Sequence, residues 1–591
     1  MDQPTKLEPS ARGGLLDFVE WLGNKLPDPV LLFLLGAIIV MVISQIAVSA
    51  GWEVQPKTPV QVTLADGTQQ VEFVPEGDLI KPVSLLTPDG LYWSLTSMVD
   101  NFMGFAPLGV VLTGMLGIGV AEKTGLIGGM LKAFMLVVPK ALLTPMMIFL
   151  GIMSSMGLDA GYVVLPPLAA ALYKSVGRSP LAGIAAVFAG VSAGFNANLF
   201  VTGLDPMLAE LSQTGARVIE PDYAVAATCN WWFMIASTFV ITMTGWAVST
   251  WFVERRLSKK APDDGGPTEI DTEALEGQGL TGEEKRSLLF GAGAMLALIV
   301  VTVALVKIPG SPLYDYTVPH HTEEGRQLLA DIVDASPPAM TETGQTIEGE
   351  GYYVDSANTR FVTDDGRVLD VRQPQFQRWV SVVTPLIFLG FVIPGLVYGI
   401  SIGTIRTSKD AARVMIESIA NMAPIIVLAF FAAQFIEYLQ YSRLDRMLAY
   451  AGGISLAQAE LSKEALVVAF ILVTMLFNLF IGSMSAKYTM FAPIFVPMLM
   501  FVGISPELTQ AAYRIGDSTT NIITPLNAYL VIILVFMQKH APKGGMGTLI
   551  SMMVPYTIVF TVVWCIMLLV WLQFGWDLGP QGPLAYSPTQ P

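Results

Sequence analysis

The sequence predicts an all-α, polytopic membrane protein built from inverted structural repeats, with two re-entrant hairpins and about nine to eleven transmembrane spans. Three observations predict it. The chain has 591 residues, 53% hydrophobic and only 14% charged, with a mean hydropathy of +0.57, whereas a soluble domain carries about 25% charged residues. The stretch 485–518 repeats the stretch 159–192 about 326 residues later: Ala160 falls on Ala486, Pro167 on Pro493, Gly177 on Gly503, Ser179-Pro180 on Ser505-Pro506, and Gly190 on Gly516. Basic residues cluster after particular apolar runs, at Arg255–Lys260 and at Arg406, Lys409 and Arg413, which marks those ends as cytoplasmic.

Taken in order, apolar runs at 30–50, 225–253, 288–305, 380–400, 465–481 and 550–572 each suffice, or nearly so, to cross about 30 Å of hydrocarbon. The first follows a polar stretch without a small-residue cleavage site, and reads as a retained helix, not a signal peptide. Residues 1–260 form a first repeat with hairpin 159–192, and 286–591 a second with hairpin 485–518. An acidic, Gly/Pro-rich cytoplasmic linker at 261–285 joins them. The repeat extends upstream, since Phe105-Ala-Pro107 resembles Met422-Ala-Pro424, and the charge bias sends the first following span inward and the second outward. Segment 51–90 and an insertion at 309–377 lie outside the membrane. Both carry alternating stretches (Val60-Gln-Val, Tyr352-Tyr-Val) and Asp-Gly turns at Asp66-Gly67 and Asp365-Gly366, the signature of short hairpins.

The net charge of −15 argues against a nucleic-acid partner. Cys229 and Cys565 sit in apolar runs, and no disulfide or metal cluster follows. His320 and His321 fall in the insertion and His540 ends an apolar run, so no histidine relay crosses the membrane. No HExxH, Walker A or GxSxG motif is present, which argues against an enzyme.

Backbone unwound at membrane depth survives only where it is buried or lines a polar cavity. Gly194-Phe-Asn196-Ala-Asn198 with Thr202-Gly-Leu-Asp205-Pro206, and Gly516-Asp517-Ser-Thr-Thr-Asn521 with Thr524-Pro525, fit that condition at corresponding places in the two halves. Their oxygens suit a hard cation such as sodium or a substrate; packing of small and polar residues is the competing reading. Arg514 and Asp517 are three apart and share a helix face, either as an internal ion pair or with Arg514 gripping a substrate carboxylate and Asp517 receiving an ion or proton. Asn478, seven residues before Ser485, and Asp159, at the place of Ser485 in the first repeat, are further polar candidates. Glu122 and Glu437, near the ends of matched spans, read as interfacial.

At Ser483-Met-Ser-Ala-Lys-Tyr488, Ala492-Pro-Ile-Phe-Val-Pro-Met498 and Gly503-Ile-Ser-Pro-Glu-Leu-Thr-Gln-Ala-Ala-Tyr-Arg-Ile-Gly-Asp-Ser518 with Asn521-Ile-Ile-Thr-Pro-Leu526, the chain resembles the AbgT family of p-aminobenzoyl-glutamate transporters and antimetabolite exporters. Ser192-Ala-Gly-Phe-Asn-Ala-Asn-Leu-Phe200 with Gly203-Leu-Asp-Pro206 resembles the family's first-half motif. The resemblance implies a bowl-shaped homodimer in the bacterial inner membrane, each protomer with its own path. It implies Asn478 and Asp517 as sodium-associated residues, and Ser485, Tyr488, Pro506, Arg514 and Asp517 as the substrate path, with Asp205 the acid of the first motif. Tyr488 stands where the family pattern has tryptophan, and the 309–377 insertion is longer than the pattern.

The expected function is ion-coupled secondary transport of p-aminobenzoyl-glutamate or p-aminobenzoate-type aromatic carboxylates, including sulfonamide antimetabolite efflux. A dicarboxylate or other organic-anion sodium symporter on the same scaffold is the alternative. No cofactor is expected beyond sodium; the coupling ion is sodium or a proton. The residues to bind substrate are Asn196, Asn198, Asp205, Ser485, Tyr488, Pro506, Arg514, Asp517 and Asn521.

Overall fold

The computed structural model describes residues 29–586 apart from 64–68, 76–77, 138, 140–141, 158–159, 271–278, 309–310, 315–316, 320–346, 350–351, 356–359, 364–367, 371–377, 421, 460, 525–526 and 528. Asp66, Gly67, Asp159, His320, His321, Asp365, Gly366 and Pro525 therefore lie outside the described residues.

Among the described residues, seven helices are long and apolar enough to cross a bilayer: Val30–Ser49, Trp231–Leu257, Gly282–Lys307, Val383–Ile402, Ala423–Tyr441, Met484–Phe501 and Met546–Phe574. An eighth is the pair Pro107–Lys123 and Leu126–Phe134, bent by 66°. The apolar run expected at 465–481 folds as the shorter helix Lys463–Asn478, and Tyr529–Gln538 is a short apolar helix of ten residues. The run at 225–253 becomes helical only at Trp231. Residues 194–203, which hold most of the first stretch expected to be unwound, are non-helical, and helix resumes at Leu204.

Both repeats fold as helical hairpins. The first joins Ala160–Lys174 to Pro180–Phe188, prolonged by a π turn over Ala189–Ala193. The second joins Met484–Phe501 to Pro506–Thr520. The chain reverses at Gly177 (φ +72°) and Gly503 (φ +77°), where only glycine escapes the Cβ clash. A serine then caps each second arm: Ser179 Oγ accepts from Ala182 N at 3.3 Å and Ser505 Oγ from Leu508 N at 3.0 Å. Pro180 and Pro506 occupy the first helical turn, where a missing N–H costs nothing. Each second arm lies against a neighbouring backbone at the matched glycine. A Cβ at Gly190 would stand 2.3 Å from Ile148 O, and one at Gly516 2.7 Å from Ile471 O.

The two tips sit at opposite ends of the helix Trp231–Leu257. Ser179 donates to Gly265 O (2.6 Å), and its neighbour Arg178 pairs with Glu254, both beside the basic end of that helix. Ser505 donates to Pro583 O (2.6 Å), and Leu578 O of the same segment accepts from Phe233 N (2.9 Å) at the other end. The helices Ala106–Lys123 and Ala423–Tyr441 likewise run in opposite senses: a cavity lined by Phe105 and Pro107 at the start of one is lined by Gln440 and Tyr441 at the end of the other. Opposed hairpins and opposed spans are what an inverted repeat requires.

Strands occur in the two segments whose alternation predicted hairpins. Lys57–Thr63 pairs antiparallel with Gln69–Pro75, Lys57 opposite Pro75. A second compact unit, Gly293–Leu386, is wider than the expected 309–377. It holds a five-stranded sheet ordered Thr317–Pro319, Val368–Asp370, Arg360–Thr363, Tyr352–Asp355, Ile347–Gly349, with the first pair parallel.

Candidate functional site

Helix Pro506–Thr520 is buried along its whole length, yet one face of it is polar. Glu507, Gln510, Arg514, Asp517, Ser518 and Asn521 recur at steps of three and four, which stacks them in one stripe. A stripe of this kind inside a membrane protein must find partners, because each unsatisfied polar group is costly there. The first half of the chain supplies most of them. Tyr223 Oη donates to the Glu507 carboxylate at 3.1 and 3.3 Å, and Asn230 Nδ2 to Glu507 O at 2.9 Å. With its amide turned to donate to Ser212 Oγ (2.9 Å), Gln510 also accepts from Arg514 Nη2 (2.9 Å). This orientation satisfies both ends of the amide.

Arg514 pairs with Asp205 (2.6 Å; side chains 4% and 1% exposed). Asp205 in turn accepts from Thr202 Oγ1 at 2.9 Å. Asn196 Nδ2 donates to Ser518 Oγ (2.7 Å), Asp517 Oδ2 (3.2 Å) and Arg514 O (3.3 Å). Asp517 meets Lys487 Nζ at 2.7 Å, both side chains wholly buried. Of the two readings offered for Arg514 and Asp517, the internal ion pair does not form. They share a face, but each finds an opposite charge on another element.

Asn478 joins the same cluster. Its Nδ2 donates to Asp517 O (2.6 Å), Thr520 Oγ1 (2.8 Å) and Asn521 Oδ1 (2.9 Å), and its Oδ1 accepts from Lys487 Nζ. The seven-residue spacing from Asn478 to Ser485 does not put them on one helix face. Helix Lys463–Asn478 ends at Asn478 and a new helix starts at Met484. Ser485 lies beside a narrow gap lined by Leu211, Leu428 and Thr489. Asn198 points elsewhere, donating to Ser155 Oγ at 2.8 Å. Tyr488 is fully buried, its ring 4.3 Å from that of Tyr513 and its hydroxyl 2.6 Å from Ser212 Oγ. Pro506 opens the striped helix and is buried.

The structure therefore gathers Asn196, Asp205, Asn478, Tyr488, Arg514, Asp517 and Asn521 around one stripe. Sequence reasoning missed Lys487, Glu507, Gln510 and Tyr223. The signal for the first two was available: each is an ionisable residue inside an apolar or hairpin segment, functional by default at membrane depth. Two buried atoms are left without partners in the stripe or against it: Arg514 Nε and Asn196 Oδ1. Asp517 Oδ1 meets Lys487 Nζ at 2.7 Å. Arg514 Nε has no such contact. One N–H of this buried guanidinium is thus without a partner.

The family model described as the AbgT putative transporter family matches residues 14–330 and 366–586. The p-aminobenzoyl-glutamate transport protein of Escherichia coli (strain K12) is 31% identical over 571 residues, covering 97% of each chain. Two solved structures are similar, each at 35% identity. The Alcanivorax borkumensis YdaH transporter, described as having an unusual topology, covers 94% of this chain and 100% of its own at a TM-score of 0.72. The Neisseria gonorrhoeae MtrF, described as illuminating a class of antimetabolite efflux pumps, covers 98% and 100% at 0.77.

Proposed function

Since the chain belongs to the AbgT putative transporter family, and is thereby a multi-pass membrane transporter of a small molecule, we propose that it carries aromatic carboxylates of the p-aminobenzoyl-glutamate and p-aminobenzoate type. The E. coli relative's name and the efflux class of MtrF support that substrate class, with sulfonamide antimetabolites as its export counterpart. The observation that carries the reading is Arg514. It is 3% exposed, committed to Asp205 through Nη2 alone, with Nε unpartnered. A buried donor left unmade costs about 1–3 kcal/mol, and a substrate carboxylate at that edge removes the cost. Tyr488 and Tyr513 supply the ring surface for the aminobenzoyl group.

Coupling runs through Asp517. Its carboxylate, Asn478 Oδ1 and the oxygens of Thr520 and Asn521 form a hard-ligand set suited to sodium, and no histidine lies in the stripe to relay a proton. Asp517 Oδ1 and Asn478 Oδ1 both hold Lys487 Nζ, so a sodium ion bound there takes the place of the lysine ammonium. The working form is a homodimer in the bacterial inner membrane. Of the helix Gly282–Lys307 only Ser287 and Gly291 are buried, which leaves apolar surface for lipid or a second protomer.

The test is equilibrium binding of p-aminobenzoyl-glutamate and p-aminobenzoate to the purified protein beside succinate and citrate. The aromatic carboxylates bind and the aliphatic ones do not; a preference for succinate or citrate overturns the assignment in favour of a dicarboxylate symporter.

A further inference from the structure

Away from the stripe, a cavity of about 420 Å³ opens between the two halves of the membrane core, lined among others by Phe105, Thr214, Arg217, Glu437, Arg443, Asp445 and Arg446. It lies at the end of the molecule that carries the second hairpin's tip. Arg217 Nε donates to Tyr223 O (3.1 Å), and Tyr223 Oη reaches Glu507 in the first turn of that hairpin's second arm. A narrow gap of about 20 Å³ shares Phe105 and Pro107 with this cavity and reaches Ser485 between Leu211 and Leu428. The helix Leu204–Ala216 connects the cavity to the central ion pair. Asp205 stands at its start and Thr214 near its end, nine residues on, or about 14 Å at 1.5 Å per residue.

The cavity's charges are unusually uncommitted. Among the described residues neither Arg443 nor Arg446 closes an ion pair. Arg443, exposed and lining the cavity, holds a left-handed backbone (φ +60°), a conformation that costs a non-glycine residue about 1–2 kcal/mol. Asp445 is 5% exposed with Oδ1 buried and unpartnered. An orphaned carboxyl oxygen in a cavity also lined by two arginines without ion pairs suits a ligand that both accepts from guanidinium and meets a carboxyl group.

We propose that this cavity is an anion vestibule, where a small organic carboxylate is held by Arg443 and Arg446 on its way to or from Arg514. It rests on the transport reading and extends it to a second site. Burial pushes the Asp445 carboxyl up to about 6. Below that pH it is neutral and donates to the bound carboxylate; above it, it repels the same group. Arg446, next to it in sequence, and Glu437 couple to it by charge, and Arg217 and Arg443 also line the cavity. Anion affinity therefore rises as pH falls through about 6.

The experiment isolates the vestibule by removing the central pair together, as Asp205→Asn with Arg514→Gln, in the full chain, with size exclusion and thermal unfolding confirming the fold. This protein retains p-aminobenzoate binding that tightens about tenfold from pH 7.5 to 5.5, weakens with added salt, and does not extend to neutral p-aminobenzamide. Adding Arg443→Asn and Arg446→Gln abolishes that binding; asparagine tolerates the left-handed backbone. Adding Asp445→Asn instead keeps binding and removes its pH dependence. Loss of all binding with the central pair alone, or binding indifferent to the two arginines, overturns the vestibule. Uptake by the unaltered protein reports on the transport reading separately: if it moves no aromatic carboxylate while the vestibule still binds one, that reading fails and the vestibule stands.

Discussion

Arg514 and Asp205 neutralise each other across 309 positions of sequence, and that separation governs what single substitutions do. Replacing Arg514 by methionine leaves Asp205 charged, buried and unpaired, which costs about 3–5 kcal/mol. The unfolding temperature in detergent should fall sharply and transport should vanish. Replacing the pair together, Asp205→Asn with Arg514→Gln, should restore most of the stability without restoring transport. If the double variant transports at the normal rate, the pair is structural only. Asp517→Asn strips buried Lys487 of its counter-charge, so it should lower the unfolding temperature as Arg514→Met does as well as abolish concentrative uptake; Asp517→Asn with Lys487→Gln should regain the stability and still fail to concentrate substrate. That Arg514 and Asp517 sit buried in a polar helix was legible in the sequence, because both lie in the second copy of a hairpin repeat inside an apolar chain. Their partners were not. Asp205 and Lys487 meet them through tertiary packing, and no spacing rule links positions on different helices. The same limit sent Asn198 towards Ser155 and away from the stripe, although it is only two residues from Asn196.

The hairpins, at the next scale, were readable almost to the residue, because their signals are local. Glycine reverses the chain, serine caps the next helix and proline opens it, in both copies. The breaks were harder. Asn478 ends a helix that hydropathy alone continues to Ile481, since an amide at that depth is satisfied only by leaving the helix and turning to Asp517 and Asn521. Close packing at the matched glycines makes the arms sensitive. Gly516→Ala brings a Cβ to 2.7 Å from both Ile471 O and Thr474 Cβ, so the arm must shift, and overpacking of this kind costs about 1–3 kcal/mol. Thermal unfolding should record that loss, and transport should fall with it. Gly545→Ala, where a Cβ meets nothing within 4 Å, is the control and should leave transport unchanged. Equal behaviour of the two variants contradicts close packing of the arm as the cause.

For the whole molecule, two opposed hairpins meet at one charged stripe, with their tips pinned at opposite ends of Trp231–Leu257 by Gly265 and Pro583. Such a body can expose the stripe first to one side and then to the other. Ligands bias that exchange only by binding the two states unequally. Sodium and proton coupling part at Asn478. Its replacement by alanine should weaken sodium-dependent transport and leave a proton-driven process largely intact, as measured by initial rates with each gradient imposed alone. The most direct test of the central claim, that the stripe carries an aromatic carboxylate with an ion at Asp517, is counterflow in proteoliposomes of the unaltered protein. Labelled p-aminobenzoate should enter vesicles preloaded with the unlabelled compound without any gradient. An inward sodium gradient should then drive net accumulation, and Asp517→Asn should abolish that accumulation. Absence of counterflow contradicts the substrate, and accumulation that ignores sodium but collapses with the proton gradient contradicts the ion.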